Sequence, residues 1–182
     1  MNSTSKVKQM AIVALMTAVI CVLSHFSLSI PISPVPISLC SMGIYFVVTV
    51  LGMKRGTISV LLYILLGFAG VPVFAGFTAG AAKLFGPTGG YIIGYIVLAL
   101  IFGFFADKFE KNLLLTILGA VLGTIVLYLF GTIWLAYQLH LGFVAALWAG
   151  VIPYIPGDIV KLIIAMLLGQ TLRKRLSKAG LI

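Results

Sequence analysis

Long apolar runs separated by short polar, proline-rich or glycine-rich breaks dominate the chain. The runs at about 7–24, 40–53, 57–70, 88–106, 112–136 and 157–173 carry almost no charge. They predict six membrane-spanning helices, since a helix crossing hydrocarbon needs about 20 largely apolar residues. The run at 40–53 is short, which suggests that part of the preceding segment continues it. Three connections depart from helical patterning. Residues 25–39 contain Pro31, Pro34 and Pro36, which hold the chain extended. Residues 71–85 are too rich in glycine for a regular span and read as an outer loop folded into the protein. The uncharged tract 112–157 exceeds one helix; His140, Gly142, Trp148-Ala-Gly, Pro153 and Pro156 predict an irregular connection with a short helix at the outer surface. Non-helical backbone at membrane depth is tolerated where it is buried in protein or lines a cavity. Three such loops on one side therefore predict a lidded pocket facing outward. The expected architecture is an all-α integral membrane protein of six transmembrane helices with long apolar outer loops, forming a single membrane-embedded domain over 1–182.

Composition excludes a soluble domain. The chain is 62% hydrophobic and 8% charged, with a mean hydropathy of +1.26, whereas ordinary globular chains are about a quarter charged. Its net charge of +9 is explained by position. Six spans with a cytoplasmic N-terminus put Lys6, Lys8, Lys54, Arg55, Lys108, Lys111, Arg173, Lys174, Arg175 and Lys178 on one side. Lys83 falls opposite and Lys161 within the membrane. The positive-inside rule then assigns both termini of this multi-pass protein to the cytoplasm, and nucleic acid is not needed to explain the basicity. Lysine before an apolar stretch resembles a signal peptide, but Ile20 before Cys21 spoils a lipoprotein cleavage site, so the segment reads as a retained first helix. Cys21 and Cys40 read as buried free thiols.

Against that background one acid stands out. The chain has three acidic residues; Asp107 and Glu110 lie in a polar loop, while Asp158 sits in an apolar run three residues before Lys161. Each such group costs roughly 2.5–3.5 kcal/mol at a membrane-helix centre on insertion scales, and a pair three apart can meet on one helix face. Pro156 suits a first helical turn, where the helix dipole favours the carboxylate of Asp158. The pair is either a self-satisfied structural bridge or a clamp for a polar ligand.

Gly86-Pro-Thr-Gly-Gly-Tyr-Ile-Ile-Gly94 places Gly86, Gly90 and Gly94 at four-residue spacing. This strips one helix face, either for another helix or for ligand approach. The Lys-Ser/Thr of a phosphate loop is missing. Ala14-Leu-Met-Thr-Ala18 and Gly119-Ala-Val-Leu-Gly123 are small-xxx-small patterns, open to internal packing or to a partner protein. Phe74, Phe77, Phe85, Tyr91 and Tyr95 gather near the outer mouth, as an interfacial belt or a pocket wall. His25 and His140 have no further Cys, Asp or Glu at ligand spacing, so no metal site is expected, and no Ser/His/acid constellation suggests catalysis.

These residues together resemble the BioY family, the biotin-binding substrate (S) components of energy-coupling-factor (ECF) transporters. The resemblance spans nearly the whole chain. It rests on Ser33-Pro-Val-Pro-Ile-Ser38, Gly67-Phe-Ala-Gly-Val-Pro-Val-Phe-Ala-Gly76, Gly86-Pro-Thr-Gly-Gly-Tyr91 and Pro156-Gly-Asp-Ile-Val-Lys161. It implies the ECF substrate-component fold, a bacterial or archaeal plasma membrane, and biotin as transported ligand with no cofactor. It also implies substrate contacts from Asp158, Lys161, Phe74, Gly86, Gly90 and Tyr91. The alanine pair recurs in the first helix of substrate components, so Ala14 and Ala18 would dock on the coupling transmembrane subunit, which works with ATPase subunits. Asp158 would accept from the ureido N–H groups of biotin, and Lys161 would donate to the ureido carbonyl or the carboxylate. Family members often carry Leu-Gln after Pro-Val-Pro, where this chain has Leu39-Cys40. The competing expectations are a component for another small vitamin, or a small integral membrane enzyme using Asp158 and Lys161 as an acid/base pair.

Overall fold

The computed structural model describes residues 3–28, 34–110 and 112–181. Pro31 and Ser33 of the first outer loop, and Lys111, lie outside the described residues. Helix α1 spans Ser3–His25, and strands β1 (Ser27–Leu28) and β2 (Ile37–Ser38) follow. Helix α2 covers Cys40–Phe68, α3 Ala81–Leu84, α4 Gly89–Lys108 and α5 Leu113–Leu139. A short α6 (Phe143–Gly150) and a 3₁₀ turn (Ile152–Tyr154) lead into α7, Ile155–Lys178.

Five of these stretches are long and apolar enough to cross a membrane, and one of them crosses twice. Gly52 interrupts α2 with φ 76° and ψ −171°, a left-handed conformation that favours glycine. In a straight helix Cys40 and Tyr63 would stand roughly 35 Å apart at 1.5 Å per residue, yet Cys40 Sγ lies 3.4 Å from the Tyr63 hydroxyl. The arms 40–51 and 53–68 are therefore antiparallel. Six crossings result, with the turn at Gly52 itself and not in the polar stretch 54–56. The Met53 N–H, freed by the break, donates to Asp107 Oδ2 at 2.8 Å. Asp107 thus belongs to the last turn of α4 and clasps the hairpin. Arg173 of α7 joins it, reaching Thr49 O at 3.2 Å, Asp107 Oδ1 at 3.6 Å and Glu110 Oε1 at 3.1 Å.

Small residues set how closely the helices pack. A Cβ on Gly90 would lie 2.3 Å from Trp134 Cβ, and one on Gly119 would lie 2.2 Å from Phe105 Cβ. Both stripes, Gly90/Gly94 on α4 and Gly119/Gly123 on α5, serve the α4–α5 interface, where close approach depends on missing side chains. Asn112 caps α5, its side-chain oxygen accepting from the Leu115 N–H at 3.3 Å; His140 ends the helix with φ 52°. Ile20, Ile44, Tyr45, Tyr63, Phe74, Phe102 and Leu98 are fully enclosed. Val121, Ile125, Leu129, Ile159 and Ile163 face outward, the distribution expected where the solvent is lipid.

The outer loops fold down as the glycine and proline content suggests. Ser27 pairs with Ser38 and Leu28 with Ile37 in a short antiparallel ladder. Phe74 of the second loop sits edge-on to Tyr63, ring centroids 5.5 Å apart, and fills the space left by Gly67. The His25 ring nitrogens lie 2.6 Å from the carbonyl oxygens of Cys21 and of Pro72, tying that loop to the end of α1. The third connection contains α6, the short helix its length and composition called for.

Candidate functional site

α7 begins at Ile155 immediately after the 3₁₀ turn, with Pro156 in its first turn, so Asp158 falls in the first turn and Lys161 one turn deeper. Their side chains are only 12% and 10% exposed, and Lys161 Nζ stands 2.8 Å from Asp158 Oδ1. Lys161 donates a second hydrogen bond, also 2.8 Å, to the backbone carbonyl of Ser38 in β2. Tyr128 of α5 donates to Asp158 Oδ2 at 2.5 Å. An ammonium has three donors and an ionised carboxylate about four acceptor positions. The cluster therefore holds itself together while keeping one donor and further acceptor positions for another molecule.

This cluster borders a small cavity of about 60 Å³ beneath the outer loops, between α4, α5 and α7, with Pro36, Tyr91, Tyr95 and Tyr154 in its walls. A second cavity of about 50 Å³ lies toward α1 and the 71–88 segment, bordered by Cys40, Tyr63, Phe74, Lys83 and Thr88. The two share Val35, Pro36, Ser38, Tyr91 and Tyr95 as walls. Tyr154 donates to the Val35 carbonyl and so fixes the roof to the head of α7. Small-molecule sites are commonly concave and apolar with a few convergent polar groups.

Asp158 and Lys161 thus border one cavity, Phe74 its neighbour, and Tyr91 both. Gly86 and Gly90 line neither. The Gly86 carbonyl accepts from Trp134 Nε1 at 2.9 Å, and Gly90 makes room for Trp134 itself. Their effect on the cavity passes through Tyr91, whose ring lies against Gly131 and whose hydroxyl approaches Gly150.

Ala14 and Ala18 are exposed in the middle part of α1, which buries Val13, Met16 and Ile20 instead. Ala14 borders an open groove between α1 and the second arm of α2, together with Lys6, Lys54, Arg55 and Leu62.

Comparison with known proteins identifies the architecture. The BioY family model matches residues 1–178. The chain belongs to the BioY family. It is 34% identical over 95% of its length to biotin transporter BioY2 of Lactococcus lactis subsp. cremoris, covering 94% of that protein. It is 39% identical over 92% of its length to a probable biotin transporter BioY of Pyrococcus horikoshii, covering 98% of it. A crystal structure of the S-component for biotin from an ECF-type ABC transporter superposes with a TM-score of 0.88 at 36% identity, over 96% of this chain and 95% of that one. The six crossings and folded outer loops are therefore the substrate-component fold.

Within this BioY chain, sequence reasoning missed three contributors. Tyr128 was hidden in an uncharged tract; a phenol midway along an apolar span was the available signal, because a buried hydroxyl seeks a partner. The Ser38 carbonyl carries no side-chain signature at all. Cys40 was noted as a departure from the family pattern, but not its setting: its thiol meets the Tyr63 hydroxyl, which pairs with Ser24 Oγ at 2.7 Å on the cavity wall.

Proposed function

We propose that this BioY-family chain captures biotin at these adjoining cavities and serves as the substrate-specific subunit of an ECF-type transporter. The observation that carries the reading is the Asp158–Lys161–Tyr128 cluster, largely buried at the head of α7 and bordering a cavity roofed by apolar loops. Biotin offers a ureido ring with two N–H donors and one carbonyl, an apolar thioether ring and a carboxylate tail. Asp158 accepts from the ureido N–H groups, and the free donor of Lys161 meets the ureido oxygen. Tyr91, Tyr95 and Phe74 enclose the apolar parts.

The whole chain, 1–182, acts as one binding unit without a cofactor. Both termini are cytoplasmic. The end carrying Lys6, Lys54, Arg55 and Arg173 then faces the cytoplasm, in line with the positive-inside rule. The exposed Ala14/Ala18 face of α1 docks on a coupling transmembrane subunit, whose ATPase partners supply the energy.

Titration of the purified chain with biotin tests this reading. Saturable one-to-one binding, weakened about 10- to 100-fold in Asp158→Asn, is the expected outcome, since a hydrogen bond to a charged group contributes about 1.5–3 kcal/mol. Identical titrations of both proteins would make Asp158 and Lys161 a purely structural pair.

A further inference from the structure

We infer that Lys83 reads the carboxylate of the bound ligand, and that the ligand lies with its ureido end at Asp158 and its acid end beneath α3. This rests on the biotin reading above and adds the residue that meets the carboxylate, for which that reading names none.

The inference starts from an accounting of charge. The chain has three acidic side chains in total, and each is already engaged. Asp158 holds Lys161, and both Asp107 and Glu110 hold Arg173 at the far end of the bundle. Lys83 is half-buried and borders the cavity beside Phe74, Ala75 and Thr88, with no counter-ion among the described residues. Burial lowers the pKa of its ammonium from the ordinary lysine value, which is the mark of a cation losing water without gaining an anion. An anionic ligand would replace that lost hydration.

Lys161 is the competing candidate for the carboxylate, and its geometry argues against it. Two of its three donors are already used, and its charge is neutralised by Asp158 at 2.8 Å. A ligand carboxylate placed there would also face the Asp158 carboxylate, and like charges in a dry site repel. The ureido ring, neutral and carrying both donors and an acceptor, suits that end. Tyr91 and Tyr95, which wall both cavities, stand between that end and Lys83. An amphipathic molecule with a neutral polar head and an anionic tail matches this sequence of surfaces.

The test compares biotin with biotin carboxamide, which keeps the rings and aliphatic tail but carries no charge. Calorimetric titration of the full chain in detergent should show wild type preferring the acid by about 10- to 100-fold, the range of one charge-assisted hydrogen bond. In Lys83→Met and in Lys83→Gln that ratio should fall toward one, and Lys83→Arg should restore most of it. An unchanged ratio in the uncharged variants overturns the assignment and leaves Lys83 to a lipid phosphate at the outer surface. Equal wild-type affinity for the two compounds overturns it as well. Failure of wild type to bind biotin at all overturns the capture reading itself, and is seen before any variant is made.

Discussion

Tyr128 donates its phenolic hydrogen to Asp158 Oδ2 across 2.5 Å, joining the middle of α5 to the first turn of α7. Lys161 holds the other carboxylate oxygen, so the acid is gripped from two helices and cannot rotate without breaking one contact. Such preorganisation lowers the ordering cost of binding.

Tyr128→Phe keeps the ring and removes that grip. Biotin affinity should fall about tenfold, as for loss of one hydrogen bond to a charged group. Calorimetry on the purified variant checks this, with the melting temperature in the absence of ligand measured alongside. A variant that binds normally would mean that Lys161 alone orients the acid.

The pair itself separates stability from recognition. Asp158→Asn leaves the Lys161 ammonium buried without its counter-ion, a change that costs about 3–5 kcal/mol in comparable sites. Replacing both, as Asp158→Asn with Lys161→Met, removes the orphaned charge and should recover most of the thermal stability. It should not recover biotin binding. Recovery of both together would show that the pair serves folding alone.

Gly90→Ala tests how the glycine stripe works. The added methyl would lie 2.3 Å from Trp134 Cβ, and overpacking of this kind typically costs about 1–3 kcal/mol. The ligand-free protein should melt at a lower temperature, with weaker binding following from displacement of Tyr91. A variant with unchanged ligand-free stability and impaired binding would instead make Gly90 a point of ligand approach.

Replacing Ala14 and Ala18 with Leu or Trp should abolish uptake in cells and loss of the coupling subunit on purification should accompany it, while biotin titration stays normal. Both alanines are exposed, and neither borders the cavities. Loss of binding together with transport would put this face inside the protein's own packing; full retention of the partner would put docking elsewhere.

Much of this was legible in the sequence because hydrocarbon is an unforgiving solvent. Charge at Asp158 and Lys161 has few places to go in an apolar run, and their three-residue spacing delivered the observed pair. The number of crossings was readable, as was the folding of the second outer loop into the protein, though not that Phe74 anchors it against Tyr63. The turn at Gly52 was not: glycine is frequent in such helices, and only the Asp107 carboxylate arriving from α4 shows why the chain reverses there. The roles of Gly86 and Gly90 depended equally on what lay opposite, since a bare helix face looks the same whether a ligand or Trp134 approaches it. Tyr128 and the Ser38 carbonyl belong to segments far from α7 in sequence, and no local pattern links them to it.

The clasp at Gly52 also bears on how this end of the molecule survives proteases. The reversal consumes a single residue, its following amide is tied down by Asp107, and Arg173 holds both Asp107 and the Thr49 carbonyl of the preceding turn. A protease needs a stretch of chain that can be drawn out into an extended conformation, and this hairpin has no slack to give. Nicking between the second and third crossings must therefore wait until α4 and α7 have let go.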